Sequence, residues 1–142
     1  MMFTMNFSDG KAIDFKIGAA ITAEELSDVF KKSGIRRPVD DLPRLQRMIE
    51  HADLLITAWD KQTLVGVARA LTDFSYCCYL SDLAVNIDYQ KRGIGKELVS
   101  LVQEQIGDVV TLLLLSAPAA MEYYPRIGFD KVENGYIIPR KK

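Results

Sequence analysis

Apolar and polar residues alternate from Ala12 to Gly18 (AIDFKIG), the period of a half-buried strand. Thr22-Ala-Glu-Glu25 then has the form of a capping box: the Thr hydroxyl can accept from the third helical N–H, and Glu25 can reach back. Leu26, Val29 and Phe30 follow on one helical face, and Gly34 stands just past the end. After a connection over 35–42, Asp41 is placed to cap a second helix running to Ala52, with Pro43 in its first turn and Leu45, Met48 and Ile49 inward. Strands are predicted at 53–59, 63–72 and 76–87, joined by a turn at Asp60-Lys61-Gln62 and by Thr72 to Ser75. Such short connections make an antiparallel meander. After Gly93 the spacing changes to Leu98, Leu101, Val102 and Ile106, a helical stripe that Gly107 closes. Residues 109–115 (VVTLLLL) are apolar on both faces and predict a central strand covered on each side. A short helix over 119–127 and a last hairpin, 129–132 with 136–138 turning at Asn134-Gly135, complete the order β-α-α-β-β-β-α-β-α-β-β. That order predicts an α/β (α+β) fold with a mixed, mostly antiparallel central sheet and helices on both faces. A chain of 142 residues fits one domain, 1–142.

The charge balance narrows the classes of partner. There are 18 Lys and Arg against 19 Asp and Glu, a net of −1, so neither nucleic acid nor a membrane surface is expected as partner. The longest apolar run, Val109 to Leu115, is far short of the roughly 20 residues that span a bilayer. The start, MMFTMNFSDGK, lacks the layout of a secretory leader. Cys77 and Cys78 are adjacent and face opposite ways on a strand, which predicts reduced thiols and a cytoplasmic protein. The single histidine, His51, closes a helix, and no spaced Cys/His set exists, so no metal site is expected.

One stretch carries chemistry: Leu83-Ala-Val-Asn-Ile-Asp-Tyr-Gln-Lys-Arg-Gly-Ile-Gly-Lys96. A strand runs into a glycine loop, and the loop opens a helix. Helix N-termini present unpaired N–H groups and partial positive charge, which suit a phosphate. Gly93 and Gly95 let a ligand approach the backbone, and Lys91, Arg92 and Lys96 add positive charge. The bland alternative is a tight turn with solvated basic residues. A Rossmann loop needs a third glycine where Leu98 stands, and a Walker loop needs Ser or Thr where Glu97 follows Lys96.

Gln90-Lys-Arg-Gly93-Ile-Gly95 resembles motif A (Gln/Arg-x-x-Gly-x-Gly/Ala) of the GCN5-related N-acetyltransferases, the GNAT family. Tyr123-Tyr124-Pro-Arg126-Ile-Gly128-Phe129 resembles a second signature of that family, with Arg126 where it has Lys. The resemblance covers nearly the whole chain. It implies the acyl-CoA N-acyltransferase fold, in which strands 4 and 5, here those ending near Val85 and Leu115, splay apart to admit acetyl-CoA. It further implies that Leu83, Ala84 and Val85 border the pantetheine arm. Gln90, Lys91, Arg92, Gly93, Ile94, Gly95 and Lys96 would hold the pyrophosphate, and Ser116 and Tyr123 would be further contacts. Ser116-Ala-Pro118 stands where the family often has Asn. Tyr124 matches the general acid for the leaving thiolate. A phenol near pKa 10 stays protonated at neutral pH and can pass its proton to a thiolate whose thiol has a pKa near 8.5. Its other reading is an aromatic that packs the short helix.

For the base, Asp82 is the ionisable carboxylate inside the strand. A structural, hydrogen-bonded aspartate or a chain of waters are equal rivals, and Asp73 in the preceding turn is a weaker candidate. The resemblance implies an acceptor site between the first two helices and the last hairpin, where the loop Ile35-Arg-Arg-Pro-Val-Asp-Asp41 mixes both signs and names no substrate charge. Arg36 and Arg37 are read as solvated, with an acidic acceptor as the alternative. The expectation is an acetyl-CoA-dependent N-acetyltransferase acting on a primary amine of a small molecule by direct attack in a ternary complex. No metal is expected, and a homodimer is possible. The rivals are an acyl-CoA-binding sensor without turnover, a protein N-acetyltransferase and an interaction protein that keeps only the fold.

Overall fold

A computed structural model describes residues 2–142. Its centre is a six-stranded sheet in the order β1-β2-β3-β4-β5-β6. The strands are β1 (Met2–Asn6), β2 (Ala12–Ile17), β3 (Leu54–Asp60), β4 (Thr63–Thr72), β5 (Cys77–Val85) and β6 (Thr111–Leu113). β1 to β5 pair antiparallel with their neighbours, and β5 and β6 are parallel. The meander, the helices on both faces and the mixed sheet are as the hydrophobic pattern predicts.

The helices follow their sequence signals. α1 (Ala23–Ser33) has the full capping box: Thr22 Oγ1 accepts from the Glu25 N–H at 3.0 Å, and the Glu25 carboxylate accepts from the Thr22 N–H at 2.9 Å. Gly34 ends it in the left-handed region at φ 82°. α2 (Leu42–Glu50) starts at the Asp41 cap, and α3 (Ile94–Ile106) starts at Gly93, whose φ of 83° a residue with a Cβ adopts only under strain. A last short helix, α4, spans Tyr123–Arg126.

α3 lies on one face of the sheet. Its Ile94, Leu98, Val99, Leu101, Val102 and Ile106 pack with Ile13, Phe15, Ile56, Ala58 and Val65. α1 and α2 cover the other face, where Leu26, Val29, Phe30 and Leu45 meet Trp59, Leu64, Val67 and Ala84. Gly66 keeps α3 close: a Cβ there would stand 3.3 Å from both Leu98 Cδ1 and Ala58 Cβ.

Three expectations need correction. Met2–Asn6 forms a strand that was not foreseen, so the strands expected to be fourth and fifth are the fifth and sixth. The strand expected over 109–115 has only three ladder residues and lies at the sheet edge, with Leu113 47% and Leu115 60% exposed. An all-apolar run does not guarantee cover on both sides. The expected hairpin at 129–132 and 136–138 does not form; those residues carry no strand, and Tyr136 and Ile138 are fully exposed. The local Asn-Gly turn signal has no neighbouring strand beyond β6 to register against.

Candidate active site

The site is built around β5. On its β4 side the ladder runs from Cys78 to Val85 with one interruption. Asp82 lies opposite Arg69 and Leu80 opposite Ala70, so Ser81 is bulged out between them. Beyond the bulge, the Asn86 N–H donates to the Val65 carbonyl at 2.8 Å. That places the Leu83–Ala68 and Val85–Gly66 pairs at non-hydrogen-bonded positions, where main-chain groups point away from β4. They face β6, but β6 pairs with β5 only through Cys77–Thr111, Cys78–Leu112 and Tyr79–Leu113. From Leu80 to Val85 the two strands part. The crevice is therefore lined by main-chain donors and acceptors of Leu83 and Val85 that the sheet does not use. Ala84 turns its side chain to the opposite face, into the α1 layer.

At one end of this crevice lies the glycine loop. A 3₁₀ turn at Ile87–Tyr89 follows β5, and the Gln90 amide donates to the Val85 carbonyl at 2.8 Å, bracing the loop against the strand. Lys91 has a left-handed φ of 65° and is exposed, as is Lys96. The first turn of α3 has no side-chain cap, so its N–H groups are free of side-chain partners among the described residues. The Ile94 side chain is buried in the core and leaves only its backbone to the loop. Arg92 is not solvated as a free cation. It donates to Asp9 Oδ2 at 2.8 Å, with its guanidinium 5.5 Å from the Phe7 ring centre, and the pairing holds the Asp9 carboxyl below its ordinary value. The loop is tied a second time through Tyr89, whose hydroxyl donates to Asp60 Oδ2 at 2.5 Å with Lys11 Nζ alongside. This bond lowers the Asp60 carboxyl and raises the Tyr89 phenol. Nothing in the spacing of residues 7–11, 60 and 89 announced that cluster.

α4 stands over the crevice. The Tyr123 hydroxyl lies 2.8 Å from where a Cβ on Gly95 would sit, with Val85 Cγ2 at 3.9 Å. Tyr123 thus reaches the glycine loop. Tyr124 meets Tyr123 edge-on at 5.3 Å and Phe129 at 5.5 Å. Burial pushes both phenols above their ordinary pKa, and the Arg37 guanidinium pulls Tyr124 partly back. Both tyrosines therefore hold their protons throughout the neutral range. Ser116, at the far wall, donates its hydroxyl to the Ala117 carbonyl at 2.8 Å.

Asp82 is placed differently from a base that meets an amine. Its side chain has no exposed surface, and both oxygens are engaged. Arg37 Nε donates to Oδ1 at 2.5 Å, and Arg69 Nε donates to Oδ2. Arg69 also reaches Ser81 Oγ at 3.1 Å, and Arg37 reaches the Ser81 carbonyl at 2.8 Å. The bulge that frees this carbonyl from the ladder is thus satisfied by an arginine from the α1–α2 loop. Arg37, expected to be solvated, is thus bound, and Arg69 carries no local signal: the partners stand 45 and 13 residues from Asp82, too far for any local pattern. Asp73 accepts from the Tyr76, Ser75 and Cys77 N–H groups, which lower its pKa to about 2 and make it a turn cap too acidic to serve as a neutral-pH base. Cys77 is exposed and Cys78 buried, both as free thiols.

A parted β5–β6 pair beside an uncapped helix start leaves main-chain donors and acceptors open along one edge of β5 and at the start of α3. The family described as Acetyltransferase (GNAT) domain matches residues 19–137, and the chain belongs to it. It is similar to the "Uncharacterized N-acetyltransferase ycf52" of Gracilaria tenuistipitata var. liui, 29% identical over 98 residues, which cover 67% of this chain and 54% of that one. The chain thus spans about half the length of that relative. In fold it resembles the GNAT-family acetyltransferase SP0256 of Streptococcus pneumoniae TIGR4, with a TM-score of 0.73, 20% identity, and coverage of 92% of this chain and 99% of that one. It also resembles the aminoglycoside N-acetyltransferase AAC(6')-Iy in complex with CoA, with a TM-score of 0.70, 17% identity, and coverage of 96% and 99%. No helix among the described residues is long and apolar enough to cross a membrane.

Proposed function

We propose that this chain transfers the acetyl group of acetyl-CoA to a primary amine of a small molecule, by direct attack while both substrates are bound. One observation carries the reading. β5 keeps six residues, Leu80 to Val85, beyond its last pair with β6, and the freed main-chain groups lead from the uncapped start of α3 toward Tyr124. A pantetheine arm has amides and no fixed charge, so it suits unused strand groups; a diphosphate suits the N–H groups at Gly93 to Lys96. Val85 offers its N–H and Leu83 both groups, because Gln90 already occupies the Val85 carbonyl. Family membership supports the acyl-CoA substrate. The likeness to an aminoglycoside acetyltransferase supports a small-molecule amine.

In this reading the amine attacks the thioester carbonyl, a C–N bond forms, the C–S bond breaks, and Tyr124 delivers its proton to the departing thiolate. The Asp82 carboxylate has no exposed surface and both oxygens are held by arginines, so the amine does not reach it and proton removal is left to water. Asp82 then serves as an anchor and not as the base. Positioning two bound substrates supplies a large part of the acceleration.

Isothermal titration with acetyl-CoA, paired with free-thiol release from a panel of amines, tests the reading. Binding and amine-dependent thiol release are expected. Gly95→Glu should lose binding, because the new side chain meets Tyr123 and sets a negative charge at the diphosphate position. Absent binding in the parent overturns the reading, and unchanged affinity in Gly95→Glu overturns the loop assignment. Binding with no thiol release from any amine would identify a sensor.

A further inference from the structure

The Arg37–Asp82–Arg69 cluster has a consequence for the acceptor. Two guanidinium groups share one carboxylate, so the cluster carries a net charge of +1. The negative member is wholly buried beneath the bulge, whereas the Arg37 side chain is 26% exposed. What the cluster shows to a ligand is therefore positive. Arg37 is also held in place: Nε donates to Asp82, Nη2 to the Ser81 carbonyl, and Nη1 to the Arg36 carbonyl at 2.6 Å. Three of its five N–H groups are spent on the anchor, and two remain for a ligand. Its bonds to Asp82 and to the Ser81 carbonyl fix it beside β5 at the bulge, one residue from Leu83 and away from the glycine loop. Of the acidic residues on the same loop, Asp41 is spent on the Arg44 N–H at the start of α2, and Asp40 is exposed next to it. Arg36, immediately before, is exposed as well.

We propose that Arg37 is a specificity residue, a fixed cation that selects amine acceptors bearing a carboxylate and disfavours polycationic amines. The inference rests on the acetyl-transfer reading above and adds the charge class of the acceptor. A guanidinium already oriented by a buried carboxylate loses little further freedom when it binds an anion. A second cation brought to the same place meets like charge in a partly desolvated site, which is costly. The acceptor class thus differs from the aminoglycosides named for the structural relative AAC(6')-Iy.

The test uses β-alanine, its amide and spermidine as acceptors, with thiol release giving kcat/KM. β-Alanine should exceed its amide by roughly tenfold and spermidine by more. Arg37→Gln should level the three, and Arg37→Lys, which keeps the charge and loses the fork, should retain part of the order. The same ranking is read independently as the shift in unfolding midpoint that each probe adds to the CoA-loaded protein. A preference for the amide or for spermidine, equal shifts for all three, or an order unchanged in Arg37→Gln overturns the proposal and leaves acetyl transfer standing. Loss of any midpoint shift with CoA itself overturns the acetyl-transfer reading instead.

Discussion

β5 has two different edges. Toward β4 it is paired from Cys78 to Val85, and Cys78 and Leu80 are buried in the α3 layer and Ala84 in the α1 layer. Toward β6 it is paired at three residues and then abandoned, and Leu113 at the last pair and Leu115 beyond it lie open. Where its backbone is satisfied by a neighbour it holds the fold; where it is not, its N–H and C=O groups stay open, which is what the proposed function draws on. The bulge at Ser81 separates the two stretches. It turns Leu83 and Val85 toward the gap and leaves a carbonyl that Arg37 fills.

The largest blow to this arrangement is Asp82→Ala. It leaves Arg37 and Arg69 without a counter-charge, and a loss of roughly 3–5 kcal/mol is expected by chemical denaturation. Asp82→Asn, which keeps the shape, should cost less, and a change below about 1 kcal/mol in Asp82→Ala would remove the cluster from the fold's foundations. The two edges can next be contrasted with one chemistry. Leu98→Ala, in the α3 layer, should cost about 2–5 kcal/mol, while Leu115→Ala on the open side should stay within about 0.5 kcal/mol. Similar losses at both sites would erase the contrast. Tyr124→Phe should lower kcat by roughly a hundredfold while acetyl-CoA affinity and the unfolding midpoint hold, and an unchanged kcat would reduce the ring to packing. Because burial raises the Tyr124 phenol, kcat in the parent should show no fall from this group until pH climbs past about 10.

The smallest effect concerns Asp73. Its folded pKa of about 2 lies below the ordinary 3.8, so its contribution is present above pH 3.8 and disappears as pH falls through about 2. Unfolding midpoints measured across that window should decline less in Asp73→Asn than in the parent. Parallel declines would show that the turn's N–H groups do not stabilise the carboxylate.

Much of this was legible in local patterns. The capping box at Thr22 and Glu25, the Gly34 and Gly107 stops and the stripe from Leu98 to Ile106 each act within a few residues, so one turn of chain contains the whole signal. The glycine loop was equally plain, because a strand end, two glycines and a helix start are consecutive. Contacts between distant segments were not. The strand at Met2–Asn6 exists through its pairing with Ala12–Lys16, and its own sequence alternates poorly. The Asn134-Gly135 turn signal was strong, yet a hairpin needs a sheet to join.

The sequence by itself determined the helices, the meander and the glycine loop that opens α3, because each depends on periodicity or on consecutive residues. Only the tertiary structure decided that Asp82 is held by two arginines and that Arg37 is bound. A charge takes its character from the neighbours it is buried with, and Arg37, Arg69 and Asp82 become neighbours only when a bulge, a strand and a loop are brought to one point.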